Sequence, residues 1–392
     1  MAKLLLLNIG YDLLARCTSI VSQTTDGHPF HLRTLDWGEE GCILRELTFD
    51  AIFTRGGVDL FRATTQAGTE SLTPLAPWPF ITTHHLILLT LLYAGFVGIF
   101  TGMRYVDDQD GGYSVSLNYR QVTNSSGAVA WNAWGLLTQA WPLGPMLRHT
   151  LEHYPSYREA LDFFTTARIV APCYLIIAGL NRDEGALVTR DRDGEVQRKE
   201  LGSSCGTLVQ TNLDHWLDAV DPAWAGEDRL LLSSVERRNA AMELMDELLA
   251  SWGSAPSHSD DEEEEEGKGA IGSVVIDGHG VEVAADPDRD SGARSEAADD
   301  EARPTRVVDG EELARWMQVL TTPPVLNPAT LYTTIMSASL SRRLNPASTG
   351  PSPIPDDDDD DEDEKDDRQK KEGDTTSRGV YLSVGVSVPH CS

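Results

Sequence analysis

Three residues near the start of the chain have side chains that can act together in nucleophilic catalysis. Cys17 lies in RCTSIV, and Arg33 and Asp36 follow in HLRTLD. A guanidinium beside a thiol lowers the thiol pKa and favours the nucleophilic thiolate, and a carboxylate can hold an ammonium group. The same residues also fit a simpler structure, because free cysteine packs well in cores and charged residues at hairpin ends are usually solvated.

The spacing of these residues requires a particular local geometry. Arg33 and Asp36 are an odd number of positions apart, so a regular strand places their side chains on opposite faces. We therefore expect a bend at the end of the strand that brings both side chains towards Cys17 across a hairpin.

Charge and cysteine content exclude several classes of protein. The net charge of −30 is concentrated in residues 252–310, with 17 acidic and 5 basic side chains, and in residues 355–378, with 13 and 5. The rest of the chain has no basic footprint, which argues against nucleic-acid binding. Five scattered cysteines without a CxxC pair do not indicate a zinc site or a disulfide framework.

Apolar periodicity and turn residues predict sheets packed against helices in layers. Residues 1–66 are predicted to form antiparallel hairpins, and helical signals run from Trp131 to about Thr166. The clearest helix, SYREALDFFTTA, has a capping box formed by Ser156 and Glu159. Further helices are predicted at ERRNAAMELMDELLASW and GEELARWMQVL, and further strands at YAGFVGIFTG, YSVSLNYR, CYLIIAGL, GALVTRD, GTLVQTNLD and TLYTTIMSASL.

Several segments do not fit the layered pattern. Residues 67–92 contain three prolines and no clear period, and we interpret them as an insertion. Residues 253–310 and the tail 346–392 are acidic and poor in apolar residues, so both are expected to be disordered. The apolar run 86–100 is shorter than the roughly 20 residues of a membrane span and is expected to be a core strand.

Seven motifs follow one another along the chain: CTSIV, GH, H-x-R-x-L-D, ALVTRDRDG, VQTNLDHW, ERRNAA and PVLNPATLYTT. In order and spacing they resemble the acid ceramidase and N-acylethanolamine-hydrolysing acid amidase family, within the choloylglycine-hydrolase group of N-terminal-nucleophile (Ntn) amidases. The resemblance covers most of residues 4–66, 93–252 and 311–338. It implies an α+β fold, a four-layer αββα Ntn-hydrolase sandwich of antiparallel sheets over residues 17–345.

The resemblance also implies a processing step. Residues 1–16 are expected to be the remnant of an upstream chain that is cut from the rest between Arg16 and Cys17, giving a two-chain heterodimer where the upstream chain is present. The missing upstream part suggests a truncated or imperfect gene model, with 67–92 a candidate retained intron.

Site roles follow from the same resemblance. The free α-amino group of Cys17, with an ordinary pKa near 8, is expected to be the general base for its own thiol. Asp36 is expected to hold that amino group and Arg33 to favour the thiolate. Asn212 is expected to donate to the oxyanion, a contribution of about 3 kcal/mol in typical sites. Arg237 matches an arginine at the rim of the site, and no cofactor or metal is implied.

The implied activity is hydrolysis of the amide bond of N-acyl lipids, with ceramide as the leading substrate. N-acylethanolamines are an alternative substrate for the same mechanism, and a catalytically silent relative with acidic binding segments is another. A lipid-presenting activator and a lysosome-like or secreted location would fit the family, but this chain has no recognisable signal peptide, so the compartment stays open.

Overall fold

The computed structural model describes residues 16–37, 41–66, 98–107, 111–121, 134–135, 137–202, 205–218, 229–253, 306–343 and 376–385. The predicted upstream remnant other than Arg16, the insertion 67–92 and most of the two acidic segments therefore lie outside the described residues. Within the part that is described, no helix is long and apolar enough to cross a membrane.

The elements follow one another from a strand-rich start to a strand-rich end. They are β1 (Arg16–Gln23), β2 (Pro29–Asp36), α1 (Gly41–Leu47), β3 (Thr48–Arg55), β4 (Val58–Gln66), β5 (Thr101–Asp107), β6 (Gly111–Tyr119), α2 (Leu143–His153), α3 (Tyr157–Thr166), β7 (Cys173–Ala178), β8 (Gly185–Arg190), β9 (Glu195–Glu200), β10 (Thr207–Gln210), α4 (Arg229–Leu232), α5 (Ser234–Gly253), β11 (Arg306–Val308), α6 (Gly310–Thr321), β12 (Thr330–Arg343) and β13 (Thr376–Gly385).

These strands form two sheets that pack face to face. The first sheet has the order β10-β1-β2-β12-β11, with β13 also paired to β12, and the second runs β3-β4-β5-β6-β7-β8-β9. All neighbours are antiparallel except the short β11, which is parallel to β12. Helices α2 and α3 cover the second sheet, and α5 and α6 cover the first. The predicted four-layer αββα sandwich is confirmed.

Strands β1 and β2 lie in the middle of this sandwich. All of β2 and all of β1 except Gln23 are buried, which is typical of strands covered on both faces. One face of this pair packs Ile20 and Leu32 against Trp316 of α6. The other face turns Cys17 towards the second sheet, where it joins a core cluster with Leu117 of β6.

Two predicted disordered segments are partly wrong. In the predicted tail 346–392, residues Thr376–Gly385 form β13, which pairs with β12 along most of its length and buries Val380 and Tyr381. In the predicted insert 253–310, residues 306–308 form β11, and Asp309 caps α6. Amino-acid composition did not predict these two strands, because a short apolar run can pair with a strand distant in sequence even when its neighbours in the chain are charged.

The hairpins predicted within residues 1–66 are confirmed as β1–β2 and β3–β4, and helix α1, which was not predicted, lies between them. One strand prediction further along the chain needs correction. The strand predicted at YAGFVGIFTG begins only at Thr101, and residues 93–97 lie outside the described residues. Ile99 is buried, but its N–H donates to the carbonyl of Gly144 at the start of α2 instead of to a sheet neighbour.

The predicted capping box at α3 is confirmed. The Ser156 hydroxyl accepts from the Glu159 N–H, and the Glu159 carboxylate accepts from the Ser156 N–H. We expect Ser156→Ala to lower the free energy of unfolding by about 1 kcal/mol, because the first turn loses a partner for its N–H group. Urea unfolding checks this, with Thr166→Ala, at an exposed threonine at the other end of the helix, expected to stay within about 0.5 kcal/mol. Equal losses in both variants would contradict the capping explanation.

Candidate active site

Cys17 is held through both of its backbone polar groups by side chains of other elements. Its N–H donates to Asn212 Oδ1 at 2.9 Å, and its carbonyl accepts from Arg237 Nη1 at 2.8 Å. The reason is that β10 ends at Gln210, opposite Ser19. Asn212 lies at the position that would oppose Cys17 if the ladder continued, so its side chain takes the place of the missing strand.

Arg33 lies directly against the thiol. Its Nη2 donates to Cys17 Sγ at 3.1 Å and to the Leu117 carbonyl at 2.8 Å, while its Nη1 donates to Ser19 and Asn118. The antiparallel register explains this contact, because Arg33 is opposite Ser19, two residues from Cys17 on the same face of the pair. The guanidinium is fully buried, so its charge is poorly screened.

Asp36 reaches the site from the other face, and the predicted bend does not occur. Residues Pro29–Asp36 are one regular strand, so Asp36 and Arg33 lie on opposite faces of it. The Asp36 carboxylate accepts from Thr330 Oγ1 at 2.7 Å and from Arg237 Nη1 at 3.4 Å. The carboxylate is therefore linked to Cys17 through Arg237.

Arg237 lies within the site and not at its rim. It is in the first turn of α5, and its side chain is fully buried. One guanidinium nitrogen donates to the Cys17 carbonyl and to Thr18 Oγ1, and the other donates to Asn212 Oδ1 at 3.1 Å. The expected position at the rim is thus wrong, because the first turn of α5 packs against β1 and directs the Arg237 side chain to the Cys17 backbone.

Asn212 uses both ends of its side-chain amide. Its oxygen accepts from the Cys17 N–H and from Arg237, and its Nδ2 donates to the Tyr119 carbonyl at 3.0 Å. The residue lies beside Cys17, as the resemblance implied. Its role as an oxyanion donor stays a prediction.

Arg16 and the bond after it lie inside a paired strand. Arg16 is the first residue of β1, opposite Asp36, and its guanidinium lies 5.1 Å from the centre of the Tyr119 ring. Only 7% of Arg16 is exposed. The Arg16–Cys17 bond is thus held next to the buried cluster that surrounds the thiol.

Charges around the thiol favour a developing negative charge. Arg33, Arg237 and Asp36 are all fully buried, and two guanidinium groups face one carboxyl group, so the cluster carries at least one excess positive charge while the thiol is neutral. Burial raises the pKa of the Cys17 thiol, and the guanidinium of Arg33 opposes that rise. Burial also raises the pKa of the Asp36 carboxyl, against the effect of Arg237. A thiolate or an oxyanion formed here would balance the cluster.

Several contributing residues were missed by the sequence analysis. Asn118 accepts from Arg33, Leu117 and Tyr119 supply carbonyl acceptors, and Thr330 bonds Asp36. A signal for β6 was present in SVSLN, where polar and apolar residues alternate with a period of two. This alternation predicts a strand with one polar face, but it cannot show that the polar face packs against the sheet that contains Cys17.

Metal chemistry has no candidate among the residues that the structure describes. No group of three or more His, Cys, Asp or Glu side chains there could hold an ion. The chemistry available to this cluster is that of a thiol with two guanidinium groups, one carboxylate and the side-chain amides of Asn212 and Asn118.

Comparison with known proteins finds acid ceramidases. The chain is 32% identical to that of Balaenoptera acutorostrata scammoni over 221 residues, covering 55% of this chain and 50% of the relative. It is 31% identical to that of Bos taurus over 235 residues, with the same coverage. The Homo sapiens protein is 30% identical over 261 residues, covering 64% and 59%. The chain thus spans about half the length of the curated relatives it matches first.

Two further comparisons complete this picture. A solved structure of the Caenorhabditis elegans N-acylethanolamine-hydrolyzing acid amidase ortholog aligns with a TM-score of 0.49 at 24% identity, covering 83% of this chain and 94% of that one. No family model matches the chain.

Proposed function

We propose, from the similarity to acid ceramidases and from the contacts of Cys17, that the chain is an amide hydrolase with Cys17 as its nucleophile. The observation that carries the proposal is the Arg33 guanidinium 3.1 Å from the Cys17 sulfur. A fully buried cation in contact with a buried thiol has a clear chemical use, since it stabilises the thiolate that attacks a carbonyl.

The first reaction in the proposal is cleavage of the chain itself. The Cys17 sulfur attacks the carbonyl carbon of Arg16, the Arg16–Cys17 C–N bond breaks, and the thiol proton passes to the nitrogen. Water then hydrolyses the resulting thioester, which frees the thiol and leaves Cys17 with an α-amino group. Asn212 and Arg237 support this step, because they bond the N–H and the carbonyl of Cys17 and so fix the residue.

Turnover uses the same thiol with a new base. The free α-amino group takes the thiol proton, the sulfur attacks the substrate amide carbonyl, and the proton passes to the leaving amine. The acyl group stays on the sulfur as a thioester until water releases it as a carboxylic acid. The excess positive charge around the thiol supports the tetrahedral oxyanion in both halves of the reaction.

N-acyl lipids are the proposed substrate class, and ceramide is the first candidate. The support for ceramide is the name carried by the sequence relatives, acid ceramidase. An N-acylethanolamine would use the same steps with a smaller leaving amine, so the two lipids differ in binding and not in mechanism.

Intact mass spectrometry of the purified full chain tests the mechanism. We expect two pieces, the larger beginning at Cys17. Incubation with a ceramide and with an N-acylethanolamine in parallel, with release of fatty acid measured, then tests the substrate class. A single chain that retains residues 1–16 and forms no acyl-enzyme with either lipid would contradict the proposal and favour a catalytically silent protein.

A further inference from the structure

A row of buried polar side chains joins the two sheets beside the candidate active site. We call it the inter-sheet seam; its members are Ser19 of β1, His31 of β2, and Ser114, Ser116 and Asn118 of β6. All five are 0% exposed, although a buried polar group is costly unless it is hydrogen-bonded. The seam ends at Arg33, which contacts Cys17.

The direction of each hydrogen bond in the seam can be assigned by starting at Asn118. Its Nδ2 faces the Gln210 carbonyl at 2.8 Å, so its Oδ1 is the atom that faces Ser19 and Arg33. A carbonyl oxygen only accepts, so the single hydroxyl hydrogen of Ser19 goes to Asn118, at 2.8 Å. Arg33 Nη1 only donates, and it occupies one lone pair of Ser19 at 2.9 Å.

The remaining bonds then have one consistent direction. Ser19 has no second hydrogen, so in the 2.9 Å contact between the two hydroxyls Ser116 is the donor. Ser116 in turn has no hydrogen left for His31 Nε2 at 2.8 Å, so the imidazole must donate there. Nδ1 of the same ring, 3.1 Å from Ser114 Oγ, is left to accept.

We propose that His31, with its proton on Nε2, is a positioning residue for Arg33 that acts through Ser116 and Ser19. The chain of donors runs from the imidazole to Ser19, whose free lone pair then faces Arg33 Nη1. That contact holds one arm of the guanidinium and leaves Nη2 for the thiol and for the Leu117 carbonyl. The consequences for rate rest on the proposed function, whereas the tautomer does not.

The charge state of His31 agrees with this geometry. Burial, and then the nearby Arg33 charge, lower the pKa of His31 to about 3, and they outweigh a hydrogen bond with the Ser114 backbone that acts in the opposite direction. A doubly protonated ring would place a second cation beside Arg33, and it would leave the Ser114 hydroxyl only the long contact to the Ala178 carbonyl, at 3.5 Å, as a place to donate. The imidazole therefore stays neutral in mildly acidic solution, where an unperturbed histidine would be largely charged.

Nitrogen NMR of the full chain labelled with ¹⁵N-histidine tests the tautomer without needing activity. The His31 signals are identified as those lost in His31→Gln. We expect the pattern of a neutral ring protonated on Nε2, unchanged from pH 7 to pH 4.5. A proton on Nδ1, or a titration with a midpoint near 6.5, would overturn the assignment.

Steady-state kinetics with palmitoyl-aminomethylcoumarin tests the positioning role. Ser116→Ala and His31→Leu are expected to lower kcat by roughly tenfold with KM unchanged. A change of this size is typical of the coupling energy between two residues of one buried hydrogen-bond network. His31→Gln, whose amide can donate near the position of Nε2, is expected to recover most of that loss. The acidic limb of the pH profile of kcat/KM should move to higher pH in Ser116→Ala, because the thiolate is less favoured.

Ser337→Ala is the matched control for these variants. Ser337 is a buried serine of β12 whose hydroxyl lies within hydrogen-bond distance of the Pro29 carbonyl and of Ser339 Oγ, neither of which belongs to the seam, so its loss should leave kcat and the pH profile unchanged. Equal kcat in the parent and Ser116→Ala would overturn the positioning role. An inactive parent would instead count against the proposed function, and the NMR measurement would still decide the tautomer.

Discussion

Cys17→Ala is expected to keep the chain uncut between residues 16 and 17 and to abolish amide hydrolysis. Alanine has no atom that can attack the Arg16 carbonyl, and without cleavage no α-amino base is formed. The two steps therefore fail together. Intact mass spectrometry of the variant should show one chain, and fatty-acid release from ceramide should fall to the rate without protein.

Two companion variants make this expectation specific to the thiol at position 17. Cys205→Ala removes a half-buried thiol whose Sγ bonds the Thr207 carbonyl, and it should cleave and turn over like the parent. Cys17→Ser keeps an acceptor for Arg33, but its hydroxyl is a much weaker nucleophile without strong activation, so its cleavage should be far slower. A Cys17→Ala chain that still hydrolyses an acyl amide would remove Cys17 from the mechanism.

Local chemistry made some elements predictable from sequence. The turn predicted at TTDGHP forms because Gly27 adopts a φ of +88°, which glycine reaches without strain. The chain then reverses and continues as β2, antiparallel to β1. Ser156 and Glu159 specify the start of α3 because their bonds are made within four residues. Such short-range pairings need no knowledge of the rest of the fold.

The arrangement of the site was less predictable, because it depends on which layers of the sandwich cover each face of β2. The odd spacing of Arg33 and Asp36 suggested a bend, because we assumed that only one face of this strand would be directed towards the site. In the structure β2 is covered on both sides, so Arg33 meets the second sheet and Asp36 meets α5 through Arg237. A straight strand thus places Arg33 against the Cys17 thiol and Asp36 against Arg237, which bonds the Cys17 carbonyl.

Long-range pairing explains the other differences. Strand β13 follows an acidic stretch, and its apolar run is too short to predict a strand from sequence. It forms because it pairs with the long strand β12. The burial of Arg237 was hidden for the same reason, because the motif ERRNAA does not show that the start of this helix packs against β1. Contacts between distant segments decided both positions.

Arg237→Met is expected to lower the free energy of unfolding by about 3–5 kcal/mol, the usual cost of removing one partner from a buried ion pair. The change leaves the Asp36 carboxylate fully buried without the guanidinium that lies 3.4 Å from it. It also removes donors from the Cys17 carbonyl, Thr18 and Asn212. Since natural domains have only about 5–15 kcal/mol of stability, this is a large share.

The design of this experiment separates the ion pair from the effect of cleavage. All variants are made in the Cys17→Ala background, so every chain is uncut, and urea midpoints and slopes are compared. Asp36→Asn keeps the bond to Thr330 but removes the negative charge, so the double variant Arg237→Met, Asp36→Asn should lose less than the sum of the two single changes. Arg237→Lys keeps the charge without the forked geometry and should fall between the parent and Arg237→Met. Strict additivity of the two single changes would mean that Arg237 and Asp36 do not stabilise each other, and the link from Asp36 to Cys17 would then have no energetic basis.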